Sequence, residues 1–399
     1  TINAQAGDDN VFVTAVTIGS TIDGGTHTSG DELGVLGGGV VTMHAGVTGF
    51  EFAALAVATT FTANATTGLI ITGSGGIDTI TTGGAVQTVN AGAGADSITL
   101  GFAGQTINGQ GDDDTIHATG AQLVGAVIDG GAHTGGDTLD ITNTSANMND
   151  GTITNIEFVT LSASGTTFTA NSLSPLTITG SGGADNITTG NAVQTVNAGV
   201  GTDTITLGAA GQTINGQADS DTVNVNATTI ASTIDAGVGD TDVLNVTGGS
   251  TVVMGGAVTN FEEVTLAIGT NFTANSTASL QITGSGFADT ITVGDTSQLV
   301  DAGAGNDVIV MTFAQFNAGM DINGEGDSDT LRISDRATNV LDASFGQIAS
   351  VETLELTYTG TSGQIVELAD LNAGVISGIT TLNASVANGI VNVDGTRQS

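Results

Sequence analysis

A nine-residue repeat is the feature that most limits how this chain can fold. Five consecutive blocks, GSGGIDTIT, TGGAVQTVN, AGAGADSIT, LGFAGQTIN and GQGDDDTIH, run in one phase from Gly73 to His117. In each block a six-residue turn precedes a three-residue segment whose middle residue is Ile or Val. A short strand that returns in every block is typical of a parallel β-solenoid with two blocks per coil. We therefore predict an all-β protein that forms a parallel β-solenoid rod.

The sixth position of these blocks alternates between a carboxylate and an amide: Asp78, Gln87, Asp96, Gln105, Asp114. The aspartates recur in every second block, which corresponds to one coil. We therefore expect them to form one column on one side of the solenoid, with the glutamines on the other side. Like charges stacked about 5 Å apart repel one another strongly, so such a column needs cations.

The blocks belong to a larger module. Its landmark is a segment that occurs once in each module, as INAQAGDDN at Ile2, INGQGDDDT at Ile107, INGQADSDT at Ile214 and INGEGDSDT at Ile322. We predict modules at 1–106, 107–213 and 214–321, and a divergent C-terminal module at 322–399. An insertion around 316–320 should lengthen a single turn. The candidate cation ligands are Asp9, Asp78, Asp96, Asp114, Asp185, Asp203, Asp221, Asp289, Asp307 and Asp329.

The first part of each module is less regular. His27 and His133 occur in IDGGTHTSGDEL and IDGGAHTGGDTL, but the third copy, IDAGVGDTDVL, has no histidine, so we favour a surface-loop role over a transition-metal site. A strand with a glutamate follows in every module, and we expect that residue to face outward rather than bind a cation. These are Glu51, Glu157, Glu262 and Glu352. No long helix is predicted, although ELADLNAGVISGI near the C-terminus could form a short one.

Composition excludes several classes of function. The formal charge is −37, with no lysine and only three arginines, so the chain cannot release counterions from a nucleic acid or adhere electrostatically to an anionic membrane. It has no apolar run long enough to insert into a membrane. The absence of cysteine is consistent with a bacterial exoprotein without disulfides. Folding of so acidic a chain should depend on cations.

The blocks GSGGADNIT, AGVGTDTIT and AGAGNDVIV resemble the RTX (hemolysin-type) calcium-binding nonapeptide. The segments NIEFVTLSASG and SVETLELTYTG resemble those of bacterial S-layer and secreted surface proteins. The resemblance implies a β-roll in which Ca²⁺ is held by the aspartates and by carbonyls of the glycine-rich turns. Glutamine is a poor substitute for a carboxylate ligand, so we expect one calcium-loaded edge. On the other edge each glutamine could hydrogen-bond its copy in the next coil.

These observations predict an extracellular structural protein of the bacterial cell surface. We expect calcium-stabilised self-assembly into a surface layer or filament, in part because Thr1 enters directly on a strand that a preceding coil covers in later modules. Cell-surface polysaccharide is a further candidate partner. The alternative is a passive stalk or adhesin segment of a larger RTX-type protein. An enzyme acting on polysaccharide is disfavoured, because Tyr358 is the sole tyrosine and no lysine is present to neutralise a uronate.

Overall fold

The structure is a computed structural model that describes residues 1–14, 21–239, 241–335, 345–358 and 379–384. The chain divides into two compact units, Thr1–Asp203 and Thr204–Ser399. This division lies inside the second predicted module, and the module boundaries remain predictions. The segment ELADLNAGVISGI lies almost wholly outside the described residues.

The described part of the first unit contains short strands. They are β1 (Ile2–Asn3), β2 (Asn10–Val13), β3 (Ile22–Asp23), β4 (Glu32–Val35), β5 (Gly39–Thr42), β6 (Val47–Thr48), β7 (Phe52–Leu55), β8 (Thr59–Thr62), β9 (Ile70–Thr72), β10 (Thr79–Thr81), β11 (Thr88–Ala93), β12 (Ser97–Thr99), β13 (Thr106–Gly111), β14 (Thr115–Ala118), β15 (Val127–Asp129), β16 (Thr138–Ile141), β17 (Ser145–Asn147), β18 (Thr152–Thr154), β19 (Phe158–Leu161), β20 (Thr167–Thr169), β21 (Thr177–Thr179), β22 (Asn186–Thr188) and β23 (Thr195–Val200).

The described part of the second unit also consists mainly of short strands. Its strands are β24 (Thr204–Thr206), β25 (Thr213–Ala218), β26 (Thr222–Val225), β27 (Thr233–Asp235), β28 (Val243–Val246), β29 (Thr251–Val253), β30 (Val258–Thr259), β31 (Glu263–Leu266), β32 (Asn271–Thr273), β33 (Gln281–Thr283), β34 (Thr290–Thr292), β35 (Leu299–Asp301), β36 (Val308–Met311), β37 (Ile322–Asn323), β38 (Thr330–Ile333), β39 (Ile348–Ala349), β40 (Thr353–Leu356) and β41 (Thr381–Ala384).

Strands of successive coils pair in parallel, which confirms the predicted parallel β-solenoid. In the first unit the sheets run β1-β3-β6, β2-β4-β7-β9-β11-β13-β15-β18, β5-β8-β10-β12-β14-β16-β19-β21-β23 and β17-β20-β22. In the second unit they run β25-β27-β30, β24-β26-β28-β31-β33-β35-β37-β39 and β29-β32-β34-β36-β38-β40-β41.

Two kinds of coil alternate. Within the nonapeptide blocks a coil has two strands, and Ile80 pairs with Ile98, which lies two blocks further along the chain. Between block arrays a coil is longer and has three strands: β15, β16 and β17 lie in three sheets before Ile128 meets its partner Ile153. The third strand opens a new sheet at β17, and the sheet that began at β2 ends at β18.

The core is a thin stack of apolar side chains inside the coils. Ile80, Ile98, Ile116 and Leu139 follow one another in a single row of pairs, and each is fully buried. In a strand alternate side chains point to opposite faces, so the β-branched residue at position eight enters the core while its threonine neighbours are half-exposed.

Helices in the described residues are short, as predicted. They are α1 (Gly120–Leu123), α2 (Phe313–Asn317) and one 3-10 turn, Met148–Asp150. Both α-helices begin with a capping box, formed by Thr119 with Gln122 and by Thr312 with Gln315. Helix α2 overlaps the start of the predicted insertion, at Phe316 and Asn317.

Candidate metal centre: the carboxylate ladders

The ten predicted aspartates share one position, the last residue of a turn immediately before a strand. All except the half-buried Asp9 have at most 2% of their surface exposed. A buried carboxylate is costly unless hydrogen bonds or counter-charges compensate it. The hydrogen-bond partners of each carboxylate oxygen therefore determine whether that oxygen is available to bind a cation.

Main-chain N–H groups compensate one oxygen of these carboxylates. Asp78 N–H donates to Asp96 Oδ1 at 2.7 Å, and Asp96 N–H donates to Asp114 Oδ1 at 2.7 Å. The side chain of each coil thus accepts a hydrogen bond from the main chain of the preceding coil. We call such a series a carboxylate ladder.

The ladders begin at a threonine N–H or an aspartate N–H, and four of them end at a glutamate. In the longest one, Thr59 N–H donates to Asp78 Oδ1 at 2.6 Å, and Asp137 N–H donates to Glu157 Oε2 at 2.9 Å. The described ladder segments are Asp9-Asp31-Glu51, Thr59-Asp78-Asp96-Asp114-Asp137-Glu157 and Thr166-Asp185-Asp203 in the first unit, and Asp221-Asp242-Glu262 and Thr270-Asp289-Asp307-Asp329-Glu352 in the second.

Sequence reasoning missed several members. Asp31, Asp137 and Asp242 follow loops longer than the standard block, although the signal, an aspartate directly before an apolar strand, was present. The glutamates are half-buried or exposed, as expected, but they also accept a hydrogen bond from the preceding coil. In all four ladder ends the glutamate Oε2 accepts the last aspartate N–H, at 2.8 to 2.9 Å.

Within one block array the aspartates precede strands of one sheet and the glutamines strands of another, as expected, but the ladders change sheets between arrays. In the sheet that begins at β2, the residues before the strands are first Asp9, Asp31 and Glu51 and then Leu69 and Gln87. The next ladder, from Asp78 to Glu157, precedes strands of the sheet that begins at β5. The three-stranded coils cause this change, because the third strand of one coil in each module, β5, β17 or β29, starts a new sheet, and the following carboxylates precede strands of that sheet.

Gln87, Gln105 and Gln298 donate to main-chain carbonyls and not to their own copies, so the expected amide ladder is wrong for these three residues. Gln87 Nε2 donates to the main-chain carbonyls of Asn64 at 2.8 Å and Thr66 at 2.9 Å, while its Oε1 accepts Gly83 N–H at 2.7 Å. A carboxylate can only accept, whereas an amide can also donate. Asp therefore suits a position where the neighbouring turn presents N–H groups, and Gln suits one where it also presents C=O groups.

The second oxygen of the carboxylates separates the ladder members into two groups. At Asp78, Asp185 and Asp289, Oδ2 accepts both the N–H and the hydroxyl of a serine in the same turn. In a second group Oδ2 is buried without a hydrogen-bond partner among the described residues. This group comprises Asp9, Asp31, Asp96, Asp114, Asp137, Asp307 and Asp329.

Burial also changes the acidity of several members of this second group. It raises the pKa of Asp114 to about 7 and the pKa values of Asp96, Asp307 and Asp329 to about 6, against the opposing effect of the N–H bonds. Neighbouring ladder carboxylates raise these pKa values further. The ladder therefore holds negative charge at neutral pH only at a cost in free energy that a cation would remove.

The residues fit a hard divalent cation such as Ca²⁺. Their donor atoms are all oxygens, which Ca²⁺ prefers, and the partnerless Oδ2 atoms are the groups that a cation would satisfy. Glycine keeps space beside them: a Cβ on Gly109 would lie 2.3 Å from Asp114 Oδ2, and one on Gly324 would lie 2.5 Å from Asp329 Oδ2. Asp96, Asp114, Asp307 and Asp329 are the best candidates, whereas Asp78, Asp185 and Asp289 are already satisfied by serine.

Among the residues that the structure describes, no helix is long and apolar enough to cross a membrane. No family model, curated protein or solved structure matches the chain.

Proposed function

We propose that this chain is a calcium-stabilised structural protein of the bacterial cell surface, a β-solenoid that self-assembles into a layer or filament. The observation that supports it most is the carboxylate ladder, in which buried Oδ2 atoms lack hydrogen-bond partners while adjacent coils carry the same charge. Such a ladder stabilises the fold only when its charge is neutralised.

The chain has little positive charge of its own for this purpose. It contains no lysine and three arginines against 40 acidic residues. In the described residues Arg332 is engaged with Glu355, at 2.5 Å between Nε and Oε2. Neutralisation must therefore come from protons or from dissolved cations. The resemblance to RTX nonapeptides favours Ca²⁺, which is abundant outside cells.

An extracellular location follows from the same requirement. Where calcium is scarce, uncompensated ladders would disfavour the folded state. Where calcium is at millimolar concentration, binding would drive folding, because a ligand that binds only the native state stabilises it by mass action. The chain would then fold after it leaves the cell.

Self-assembly is supported by apolar side chains on solvent-facing turns. Ile77 is 64% exposed and Phe287 is 63% exposed, each in a turn that leads into a ladder aspartate. Exposed apolar residues on so acidic a surface favour association once cations screen the charge.

Circular dichroism and calcium titration of the purified chain test this proposal. We expect a β-rich spectrum in calcium, a weaker β spectrum with a much lower unfolding midpoint after thorough chelation, and recovery with Ca²⁺ but not with equal Mg²⁺, because Mg²⁺ is smaller and dehydrates reluctantly. Electron microscopy should show ordered assemblies in calcium only. An unchanged spectrum after chelation would overturn the calcium proposal, and dispersed single particles at high concentration in calcium would overturn self-assembly.

A further inference from the structure

At two ladder ends a histidine lies beside the carboxylates but takes no part in the main-chain hydrogen bonds of the ladder. His133 lies in the loop before Asp137, and its Nδ1 is 3.2 Å from Glu157 Oε2 and 3.5 Å from Asp137 Oδ2. His27 repeats the arrangement, with Nδ1 3.0 Å from Glu51 Oε2 and 3.7 Å from Asp31 Oδ2. In each cluster one nitrogen and two carboxylate oxygens all lie within 4.8 Å of one another.

We propose that His133, Asp137 and Glu157 form a binding site for a divalent transition metal of the zinc class, and that His27, Asp31 and Glu51 form a second, equivalent site. This inference is independent of calcium binding in the rest of the ladder. The two histidines lie in exposed loops, as expected from sequence, and the proposal adds a metal-binding role to that position.

The distances from the histidine nitrogen to the two carboxylate oxygens fit a tetrahedral metal ion. Zinc bonds imidazole nitrogen and carboxylate oxygen at about 2.0 to 2.2 Å, so two ligand atoms of a tetrahedron are about 3.3 to 3.6 Å apart. The four contacts above, at 3.0 to 3.7 Å, surround this range. An imidazole is a preferred ligand for zinc, whereas calcium prefers oxygen.

One ligand in each cluster is a buried, partnerless group directed at the histidine. Asp31 and Asp137 are fully buried, and no described residue hydrogen-bonds to either Oδ2 atom. A metal would satisfy this oxygen. The fourth position would be open to water, because His27 and His133 are about one third exposed.

The other two ligands are held in place by the fold. Glu157 Oε2 accepts Asp137 N–H at 2.9 Å, which fixes its carboxylate at the end of the ladder. The histidine loop is fixed by Asp113, whose Oδ1 accepts the N–H groups of Thr134 at 2.8 Å and Gly135 at 2.7 Å. Asp8 holds the His27 loop in the same way, through the N–H groups of the two residues that follow that histidine. Such prearrangement reduces the entropy lost on metal binding.

A bound metal would also join consecutive coils. Asp137 and its histidine belong to one coil and Glu157 to the next, since Phe158 pairs in parallel with Thr138. The other two ladder ends, Asp242 with Glu262 and Asp329 with Glu352, have no histidine in the segments that contain their aspartates, IDAGVGDTDVL and INGEGDSDT. Among the described residues the four ladder ends therefore supply two such sites.

Zinc titration of the zinc-free chain, by calorimetry in saturating Ca²⁺, tests the proposal. We expect two Zn²⁺ ions per chain, one in His133→Gln or His27→Gln, and none in the double variant. With Co²⁺ as the probe, the wild type should show the intense visible absorption of tetrahedral coordination. Circular dichroism of each variant in the same buffer shows whether it is folded, which distinguishes a lost zinc site from a lost fold.

His117→Gln is the matched control. His117 Nδ1 contacts a single carboxylate, Asp140, at 2.7 Å, so its loss should leave two zinc sites. Zinc binding that is unchanged in the His27→Gln/His133→Gln double variant would overturn the proposal. Zinc that saturating calcium displaces fully would also overturn it, because the clusters would then be ordinary members of the calcium ladder.

Discussion

Asp96 Oδ1 accepts the main-chain N–H of Asp78 at 2.7 Å, although the two residues lie in different coils of the solenoid. The aspartate side chain of one coil therefore completes the backbone hydrogen bonding of the preceding coil. The Asp96 carboxylate has two roles. Its Oδ1 accepts a main-chain N–H group, and its Oδ2 carries charge that a cation would neutralise.

Substitution of Asp96 distinguishes the two roles. Asp96→Asn keeps an oxygen acceptor for Asp78 N–H but removes the charge, so it should leave stability without calcium unchanged or higher and reduce the stabilisation by calcium. Asp96→Ala leaves the N–H buried and unsatisfied and should cost about 1–3 kcal/mol with or without calcium. Urea unfolding in calcium and in chelator measures both effects. Equal destabilisation by Asn in the two buffers would contradict the assignment.

The glutamine side should not respond to calcium. Gln87→Leu conserves volume but removes the bonds to the Asn64 and Thr66 carbonyls and to Gly83 N–H. We expect a loss of about 1–3 kcal/mol that is the same in calcium and in chelator. Urea unfolding of Gln87→Leu and Asp96→Asn, each in calcium and in chelator, measures the two losses of stability. A calcium-dependent loss at Gln87 would show that cations also bind on the glutamine side.

Stability of the metal-free protein should increase as the pH falls. Burial raises the pKa of Asp114 to about 7 and that of Asp96 to about 6, above the ordinary value of 3.8. A raised carboxyl pKa means that the folded state binds more protons than the unfolded state, so stability is greatest below about pH 4 and declines as the pH rises through 6 to 7.

Denaturation in chelator from pH 8 to pH 4 measures this dependence. The midpoint should rise as protons neutralise the ladder, and Asp114→Asn should weaken the trend. In calcium the trend should be smaller, because the cation and the proton compete for the same oxygens. A midpoint that falls steadily as the pH is lowered in chelator would contradict the raised pKa values.

Glycine beside the ladder should be required for cation binding. In Gly109→Ala the new Cβ would lie 2.2 Å from Gly130 O and 2.3 Å from Asp114 Oδ2. We expect lower stability and loss of calcium binding near Asp114. Gly84→Ala is the control, since its Cβ would meet nothing within 4 Å, and it should be neutral. Calcium titration and thermal unfolding of the two variants provide the test, and equal behaviour would refute this role of Gly109.

Assembly should depend on the exposed apolar turns. The double variant Ile77→Ser/Phe287→Ser should keep the calcium-dependent spectrum, because both side chains are mostly exposed, and should assemble more slowly in calcium. Light scattering follows the growth. Ile98→Ala, which empties a fully buried position, should instead lower stability by about 2–5 kcal/mol. Unchanged growth of the double variant would exclude these turns from the contact.

The sequence by itself determined the solenoid and most of the ladder positions. A period of nine with Ile80, Ile98 and Ile116 at one phase admits few folds, because only stacked coils bury those residues in one row. Aspartates at the same phase must then stack as well. This regularity is local, so it can be read along the chain.

The tertiary structure alone decided which groups the ladder joins and where it runs. The hydrogen bond from Asp137 N–H to Glu157 Oε2 depends on loops of irregular length. The nine-residue period does not predict the conformation of such loops. The clusters of His27 and His133 arise for the same reason. The three-stranded coils shift the carboxylates to a new sheet, and the number of strands in a coil is set by how its longer segments pack. Sequence spacing therefore predicts contacts within the uniform blocks but not across the coils that interrupt them.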